Sequence, residues 1–292
     1  MINFLARRKI YFTISLALLV PSIASLALWR FRPSIDFTGG SLLEVRSASI
    51  SCQQAVISDA LGEGAPELAA AQSAGENCLL RLAPISEEQR VQIVGSLREK
   101  FGEVVVVRFE TVGPTLGREL LTKTLVAVIL AIGFILGYVA WQFKNKMYGV
   151  CAILAMLHDT VILLGSFSLL GRFFGVEVDT LFVTAVLTTL SLSAHDTVVV
   201  FNSIREQVGG RRMGAGDFSV VVNQALNATV VRSLNNSFTI IFMLLCLVLL
   251  GGETIRWFAV ALLVGTVLGT YSSTFIAAPL LTVWQSLAAR RG

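Results

Sequence analysis

Two aspartates lie inside long apolar runs of this 292-residue chain, and each is directly preceded by one of its two histidines. Asp159 sits in Leu157-His158-Asp159-Thr160 and Asp196 in Ser193-Ala194-His195-Asp196-Thr197. A charge at the centre of a bilayer costs at least about 2.5–3.5 kcal/mol on insertion scales, so such a carboxylate points to a function: a proton relay, an ion path or a charge pair. The run around Asp196 carries further polarity. Thr189, Ser193 and Asp196 share a helical face by i, i+4, i+7 spacing, and Thr184, Thr188, Ser191 and His195 make an adjoining stripe. A helix of this kind should face other helices or a wet cavity rather than lipid. The matching base is Arg232, which shares a face with Asn235 or Asn236 and with Thr239 at the start of the next apolar run. Asp196 lies five residues from the end of its run near Phe201, a depth of about 7.5 Å. A long arginine side chain reaches that far. The spacing therefore predicts a pairing of Asp196 with Arg232. A carboxylate alternating between paired and protonated states would relay protons, whereas a permanent pair would only lock two helices together. His195, Asp159, His158 and Asn235 are secondary candidates, with His158 and Asp159 expected to hydrogen-bond across helices.

Other chemistries find less support. An intramembrane aspartyl protease needs two carboxylates sharing a proton at close range, and the surroundings of Asp159 and Asp196 match no protease motif. The two histidines and four scattered cysteines show no CxxC or HExxH spacing. No enzyme activity, metal or cofactor is expected. The net charge of +4 is too small to argue for nucleic acid.

The elements that must position these residues follow from hydropathy. The chain is 54% hydrophobic and 14% charged, against about 25% charged in a soluble domain. Six apolar segments stand out, at roughly 10–29, 120–141, 148–170, 179–201, 233–250 and 257–284, each long enough to cross a hydrocarbon core of about 30 Å. The last is long enough to tilt, kink or extend past the bilayer. Pro21 and Pro279 mark kinks at most. The first follows Arg7-Arg8-Lys9, yet exceeds a signal-peptide h-region in length and lacks an A-x-A site, so it reads as a retained span. Arg7, Arg8, Lys9, Lys144, Lys146, Arg205, Arg211, Arg212, Arg232, Arg290 and Arg291 fall on one side of the membrane, against Arg172 and Arg256 in the opposite short loops. The first side should be cytoplasmic. The expected domains are a cytoplasmic N-terminus and first span over 1–30, an extracytoplasmic domain over 31–119, and a helical bundle over 120–292 with a cytoplasmic loop at 202–231. That loop's segment 202–217, with Gly209-Gly210-Arg211-Arg212, should be a mobile, solvated stretch near acidic headgroups. Gly265-x-x-x-Gly269, followed by Thr270-Tyr271-Ser272-Ser273, favours close packing of the sixth span.

Within the outer region, 35–45 looks like a strand interrupted by Gly39-Gly40, and 50–61 like a short helix. Residues 68–72 and 78–82 look like two strands around the turn-prone Ser73-Ala74-Gly75. Ser86-x-x-Gln89 ahead of Val91, Ile93, Val94 and Leu97 resembles a capped helix, and 104–109 is a β-branched strand. The order β-α-β-β-α-β is the ferredoxin-like arrangement. Cys52 and Cys78 both fall here; an oxidising compartment would permit a bridge, and two separate small apolar residues would fit equally well. Cys151 and Cys246 lie in spans as packing residues.

Several of these stretches resemble the SecD/SecF family of export membrane proteins. Ile35-Asp36-Phe37-Thr38-Gly39-Gly40-Ser41 is similar to the signature that opens their outer domain, and Val112-Gly113-Pro114 with Gly117, Glu119 and Leu120 to the motif entering their second span. Asp196-Thr197-Val198-Val199-Val200-Phe201 with Ile204-Arg205-Glu206 resembles the fourth-span motif, Arg232-Ser233-Leu234-Asn235 the fifth, and Gly269-Thr270-Tyr271-Ser272-Ser273 the sixth. The likeness covers nearly the whole chain, and the small outer domain favours the SecF branch. The family usually has Gly-Tyr-Ser and then Asn just before the fourth-span aspartate; here the stretch is Ser191-Leu192-Ser193-Ala194-His195, with His195 in place of the Asn. The resemblance implies six transmembrane helices in an RND-type bundle with one small α+β domain between the first two, in the bacterial inner membrane. It further implies pairing with SecD, association with SecYEG and often YajC, and use of the proton gradient to help unfolded preproteins cross, with Asp196 and Arg232 as the proton-responsive pair. A structural subunit without its own proton path and a small RND-type exporter are the alternatives; exporters of that type have much larger outer domains.

Overall fold

The computed structural model describes residues 2–62, 65–74, 76–143, 145–209 and 214–289. Gly75, Lys144, Gly210, Arg211, Arg212, Arg290 and Arg291, which entered the turn, loop and orientation readings above, lie outside them. The chain divides into two compact units, Arg32–Val126 and the pair Met1–Phe31 with Ala127–Gly292. The boundary falls seven residues beyond the expected edge of the outer domain.

The outer unit holds α2 (Ile35–Thr38), β1 (Gly40–Arg46), α3 (Gln54–Leu61), β2 (Leu68–Ala74), β3 (Asn77–Leu82), α4 (Glu87–Phe101) and β4 (Val105–Val112). The four strands form one antiparallel sheet in the order β2-β3-β1-β4, as the ferredoxin-like expectation requires. Alternate residues of β1 and β3 (Leu43, Val45, Cys78, Leu80 and Leu82) pack with Ile57 of α3 and Ile93, Val94 and Leu97 of α4. Ser86 and Gln89 form the expected reciprocal cap on α4. Cys52 and Cys78 are joined by a disulfide, their Cα atoms 5.6 Å apart.

Residues 35–38 differ from expectation: they form a helical turn, not the start of a strand. Ser34 Oγ accepts a hydrogen bond from the Asp36 N–H at 3.2 Å, and Gly39, at φ 74°, ends the turn. Gly39 also brings two distant motifs together. A Cβ at Gly39 would stand 2.8 Å from Pro114 Cα, and one at Gly117 would stand 2.8 Å from Gly39 N. Gly40 is held at φ 129°, and a Cβ there would stand 3.0 Å from Leu82 O. Gly39→Ala is expected to destabilise the outer unit by about 2–4 kcal/mol, combining a left-handed backbone penalty with an overpacked contact. Faster hydrogen exchange across β1 is the measurement, and protection equal to that of the parent would reject it.

In the second unit run α1 (Arg8–Trp29), the end of α5 (Pro114–Gln142), α6 (Lys146–Phe174), α7 (Thr180–Val208), α8 (Ala215–Leu250), α9 (Glu253–Ser272) and α10 (Ala278–Ala289). A π-turn at Ser273–Ala277 joins α9 to α10, so the pair makes one span. Among the described residues six helices are long and apolar enough to cross a membrane, matching the six expected spans. α1 buries Ser15, Ser22 and Ser25, and a Cβ on Gly165 of α6 would overlap Ser22. Ser168 Oγ lies 2.7 Å from Arg30 O and 3.0 Å from Ser25 O at the end of α1. Small residues let these backbones approach closely.

The segment 202–231, read as a loop, is largely helix: α7 runs on to Val208 and α8 already begins at Ala215. Its polar residues hide an apolar face. Ile204 on α7 and Phe218, Val222, Ala225 and Leu226 on α8 are buried with Phe143, Tyr148 and Phe201. Asn223 and Asn227, one turn apart on α8, clasp the N-terminal backbone. Their Oδ1 atoms accept from the N–H groups of Phe4 and Ile2 at 2.8 and 2.9 Å, and both Nδ2 groups donate to Ile2 O.

Candidate functional site

Two apolar clusters stack along the bundle. One contains Met147, Cys151, Ala155 and Met156 of α6, Phe201 of α7 and Leu281 of α10. The other contains Ile162, Leu163 and Phe167 of α6, Phe182 and Ala185 of α7, and Ala261 and Leu268 of α9. His158 and Asp159 fall between them on α6, both buried, Asp159 only 5% exposed. The aspartate is surrounded by donors from three helices. His158 Nδ1 lies 2.9 Å from Oδ1. Ser193 Oγ of α7 donates to Oδ2 at 2.6 Å, and Ser272 Oγ of α9 to the same oxygen at 2.5 Å.

Glycines explain why these hydroxyls reach the carboxyl. A Cβ on Gly265 would overlap the Thr189 side chain, and one on Gly269 would lie 3.2 Å from Ser193 Cα. The Gly265-x-x-x-Gly269 face of α9 is thus laid against Thr189 and Ser193 of α7, bearing out the close packing read from its spacing. Ser272, one turn on, is carried to Asp159. Thr270 Oγ1 donates to Ser237 Oγ of α8 at 2.6 Å, and Tyr271 OH donates to Tyr11 O of α1 at 2.9 Å. The π-turn starts at the next residue, Ser273, and such turns recur at functional positions in helices. Above the cluster a cavity of about 10 Å³ is lined by Asp159, Thr160, Leu163, Thr189, Leu190 and Gly265.

Asp196 and Arg232 are arranged differently from the sequence expectation. They lie on neighbouring helices, α7 and α8, but among the described residues no ion pair joins them. Asp196 has a side chain 15% exposed, and its ion-pair contact is with His195, Nδ1···Oδ1 3.6 Å. Arg232, Asn235, Asn236 and Thr239 all lie on the exposed side of α8, while Ser233 and Ser237 are buried. The cause is a rotation of α8 by about one residue, or about 100°: its small hydroxyl stripe, not its arginine stripe, docks on the bundle. His195 is 71% exposed. Thr189, Ser193 and Asp196 share a face as spaced, but Ser193 engages Asp159. The other family-motif positions act in the outer unit: Asp36 opens α2, and Gly39, Gly40 and Pro114 make the contact already described, with Gly113 just before α5. The serine shell of Asp159 was not anticipated. The signal for it was present in the i, i+4, i+7 row of Gly265, Gly269 and Ser272, which matches the i, i+4 row of Thr189 and Ser193. Among the described residues no group of three or more His, Cys, Asp or Glu gathers that could hold a metal.

A six-helix polytopic membrane protein, with a split βαββαβ domain between its first two spans and carboxylates inside the bundle, is the class this architecture defines. The family described as "Protein export membrane protein SecD/SecF, C-terminal" matches residues 92–287, and the chain belongs to it. Among similar proteins, the protein translocase subunit SecF of Anaerolinea thermophila is 39% identical over 98% of this chain and 95% of its own length. SecF of Thermobaculum terrenum is 40% identical over the same shares. The crystal structure of SecDF from Thermus thermophilus, described as a translocon-associated membrane protein, superposes with a TM-score of 0.84 at 31% identity over 97% of this chain. This chain spans 38% of that longer one. SecDF in its Super-membrane-facing form matches with a TM-score of 0.70 at 30% identity, over 99% of this chain and 39% of that one.

Proposed function

We propose that this chain is an accessory subunit of the Sec protein-export machinery. It works beside SecD in the bacterial inner membrane, both termini in the cytoplasm and residues 31–119 outside, and uses the proton gradient to promote passage of unfolded preproteins. SecYEG, and in some settings YajC, complete the assembly. The chain performs no covalent chemistry. The carrying observation is that polar groups stand uncovered on its membrane helices: His195 on α7 and Arg232, Asn235 and Asn236 on α8. Arg232 is 18 residues from the far end of α8, about 27 Å, against a hydrocarbon core of about 30 Å, so it stands at the inner edge of the span. Lipid offers such groups no hydrogen-bond partners, whereas a second bundle does. The apolar residues Leu125, Ile129, Phe134 and Trp141 of α5 are likewise exposed. The SecDF relatives carry the additional chain length such a bundle needs.

Asp196 and Arg232 are the proton-responsive groups in this reading. The absence of an ion pair between them among the described residues supports a responsive site over a permanent lock. Asp196→Asn is expected to leave folding and SecD association intact and to abolish the stimulation of export by a proton gradient, measured in vesicles containing SecYEG and SecD. Normal stimulation by the variant would defeat the relay. A structural subunit makes a different forecast: Asp196→Asn combined with Arg232→Gln would restore export.

A further inference from the structure

We propose that Asp159 and His158 form a proton-holding site at the centre of the bundle, separate from Asp196, which exchanges its proton through the small cavity beside Thr160 and Thr189. The inference rests on the proton-coupled reading above and assigns a second place where the proton resides.

The first argument is charge. Asp159 is buried between two apolar clusters, and its hydrogen-bond partners are two serine hydroxyls and one imidazole. The titratable and charged side chains on the elements packed against α6 are Arg8, Lys9 and Tyr11 on α1, His195, Asp196, Arg205 and Glu206 on α7, and Arg256 and Tyr271 among the described side chains of α9; the π-turn and α10 carry none. On α6 itself stand Lys146, Tyr148, Cys151 and Arg172. Among the described residues the hydrogen-bond and ion-pair partners of Asp159 are His158, Ser193 and Ser272, and none of these charged groups. An isolated carboxylate here would be a buried, uncompensated charge, costing several kcal/mol. The pair therefore holds one proton between its two bases, as a carboxylic acid beside a neutral imidazole or as a carboxylate beside an imidazolium. His158 Nε2 is buried without a hydrogen-bond partner. An imidazolium would leave a charged N–H unsatisfied there, which is the costlier arrangement. The resting proton accordingly sits on Oδ1, donated to His158 Nδ1, while both serine hydroxyls donate to Oδ2.

The second argument is access. The cavity of about 10 Å³ touches Asp159, Thr160 and Thr189, roughly the room one water needs, and offers it polar partners. Ser193 contacts the carboxyl. In uptake, a hydronium in the cavity gives one proton to the carboxylate and is left as water; in release, the carboxyl O–H breaks, its proton passes to a water there, and the carboxylate is restored. Only O–H bonds form and break, and no oxidant or reductant is involved.

The test is an infrared pH titration of the carboxyl band, using the full chain with SecD in lipid nanodiscs. Asp159→Asn, which keeps the side-chain shape, is expected to remove one protonated-carboxyl band completely, and Asp196→Asn is expected to leave that band in place. His158→Gln and Ser193→Ala keep the carboxyl but change its partners, so each is expected to move the midpoint of the same band; these two variants carry the test if Asp159→Asn does not fold. A spectrum of Asp159→Asn that superimposes on the parent overturns the proposal. So does loss of the band on adding sodium at constant pH, which would make the ligand a metal cation, and so do unchanged midpoints in both partner variants. Should the band titrate as expected while export proves indifferent to the gradient, the proton-coupled function falls and the proton site stands.

Discussion

Replacing Gly265 with valine is expected to destabilise the bundle by about 3 kcal/mol and to break the contact between Ser272 and Asp159. The position has no room for a side chain: even a Cβ would overlap the methyl of Thr189 and approach its Oγ1 to 2.9 Å. Thr189 is itself buried, and its hydroxyl is tied to Val186 O at 3.0 Å, so it has little freedom to retreat. Overpacking of this kind costs about 1–3 kcal/mol, and valine, with two methyls beyond the Cβ, belongs at the upper end. The helices must separate to relieve the clash. Because Gly269 and Ser272 lie on the same row, the separation also withdraws Ser272 from Oδ2. Gly265→Ala should show a smaller loss of about 1–2 kcal/mol. Reversible unfolding in detergent measures both, and a valine variant within about 0.5 kcal/mol of the parent would show that α7 and α9 are not in such close contact.

Opening the Cys52–Cys78 bridge is expected to have an effect of similar size on the outer unit. The two residues are 26 apart in sequence, and closing a loop of that length stabilises a fold by about 3.5 kcal/mol in the chain-entropy treatment. Cys78 is fully buried in the core beneath the sheet, so alanine is the cleaner replacement; serine would add an unpaired hydroxyl there. The double variant Cys52→Ala/Cys78→Ala should be cut by protease at lower urea than the parent, and reductant should mimic it. A shift under about 1 kcal/mol would mean that the unfolded loop is already restrained. The bridge also ties β3 to the loop preceding α3, a stretch the hydrogen-bonded ladder does not reach.

Much of the architecture was legible in the residue order. Apolar length marks six spans, and the alternation and turn residues of 34–113 give the βαββαβ order, because both signals are local. The start of the first strand is hidden in the sequence, since Ser34 and Gly39 impose a turn that the apolar residues Ile35 and Phe37 conceal. The segment 202–231 looks like loop in the sequence because charge dominates its composition, while four buried positions on α8 keep helical spacing. The ranking of the two aspartates was the least legible. Ser193 and Asp196 are three residues apart, about 60° around a helix, and nothing in that stretch says which of them faces inward. The decision is made on α9 by Gly265 and Gly269, whose missing side chains set where α7 docks. Arg232 shows the same limit, because the rotation of α8 buries Ser233 and Ser237, the latter against Thr270 of α9.

The π-turn at Ser273–Ala277 gives the sixth span a spare residue. Absorbing it into regular helix would turn everything beyond it by about 100° and advance it by about 1.5 Å, swinging Leu281 and Thr282 to new neighbours while Gly265 and Gly269 stayed clamped. Movement in this span can thus travel as a wrinkle along its backbone, with no need for the whole rod to tip, and the wrinkle begins one residue from the serine that touches Asp159.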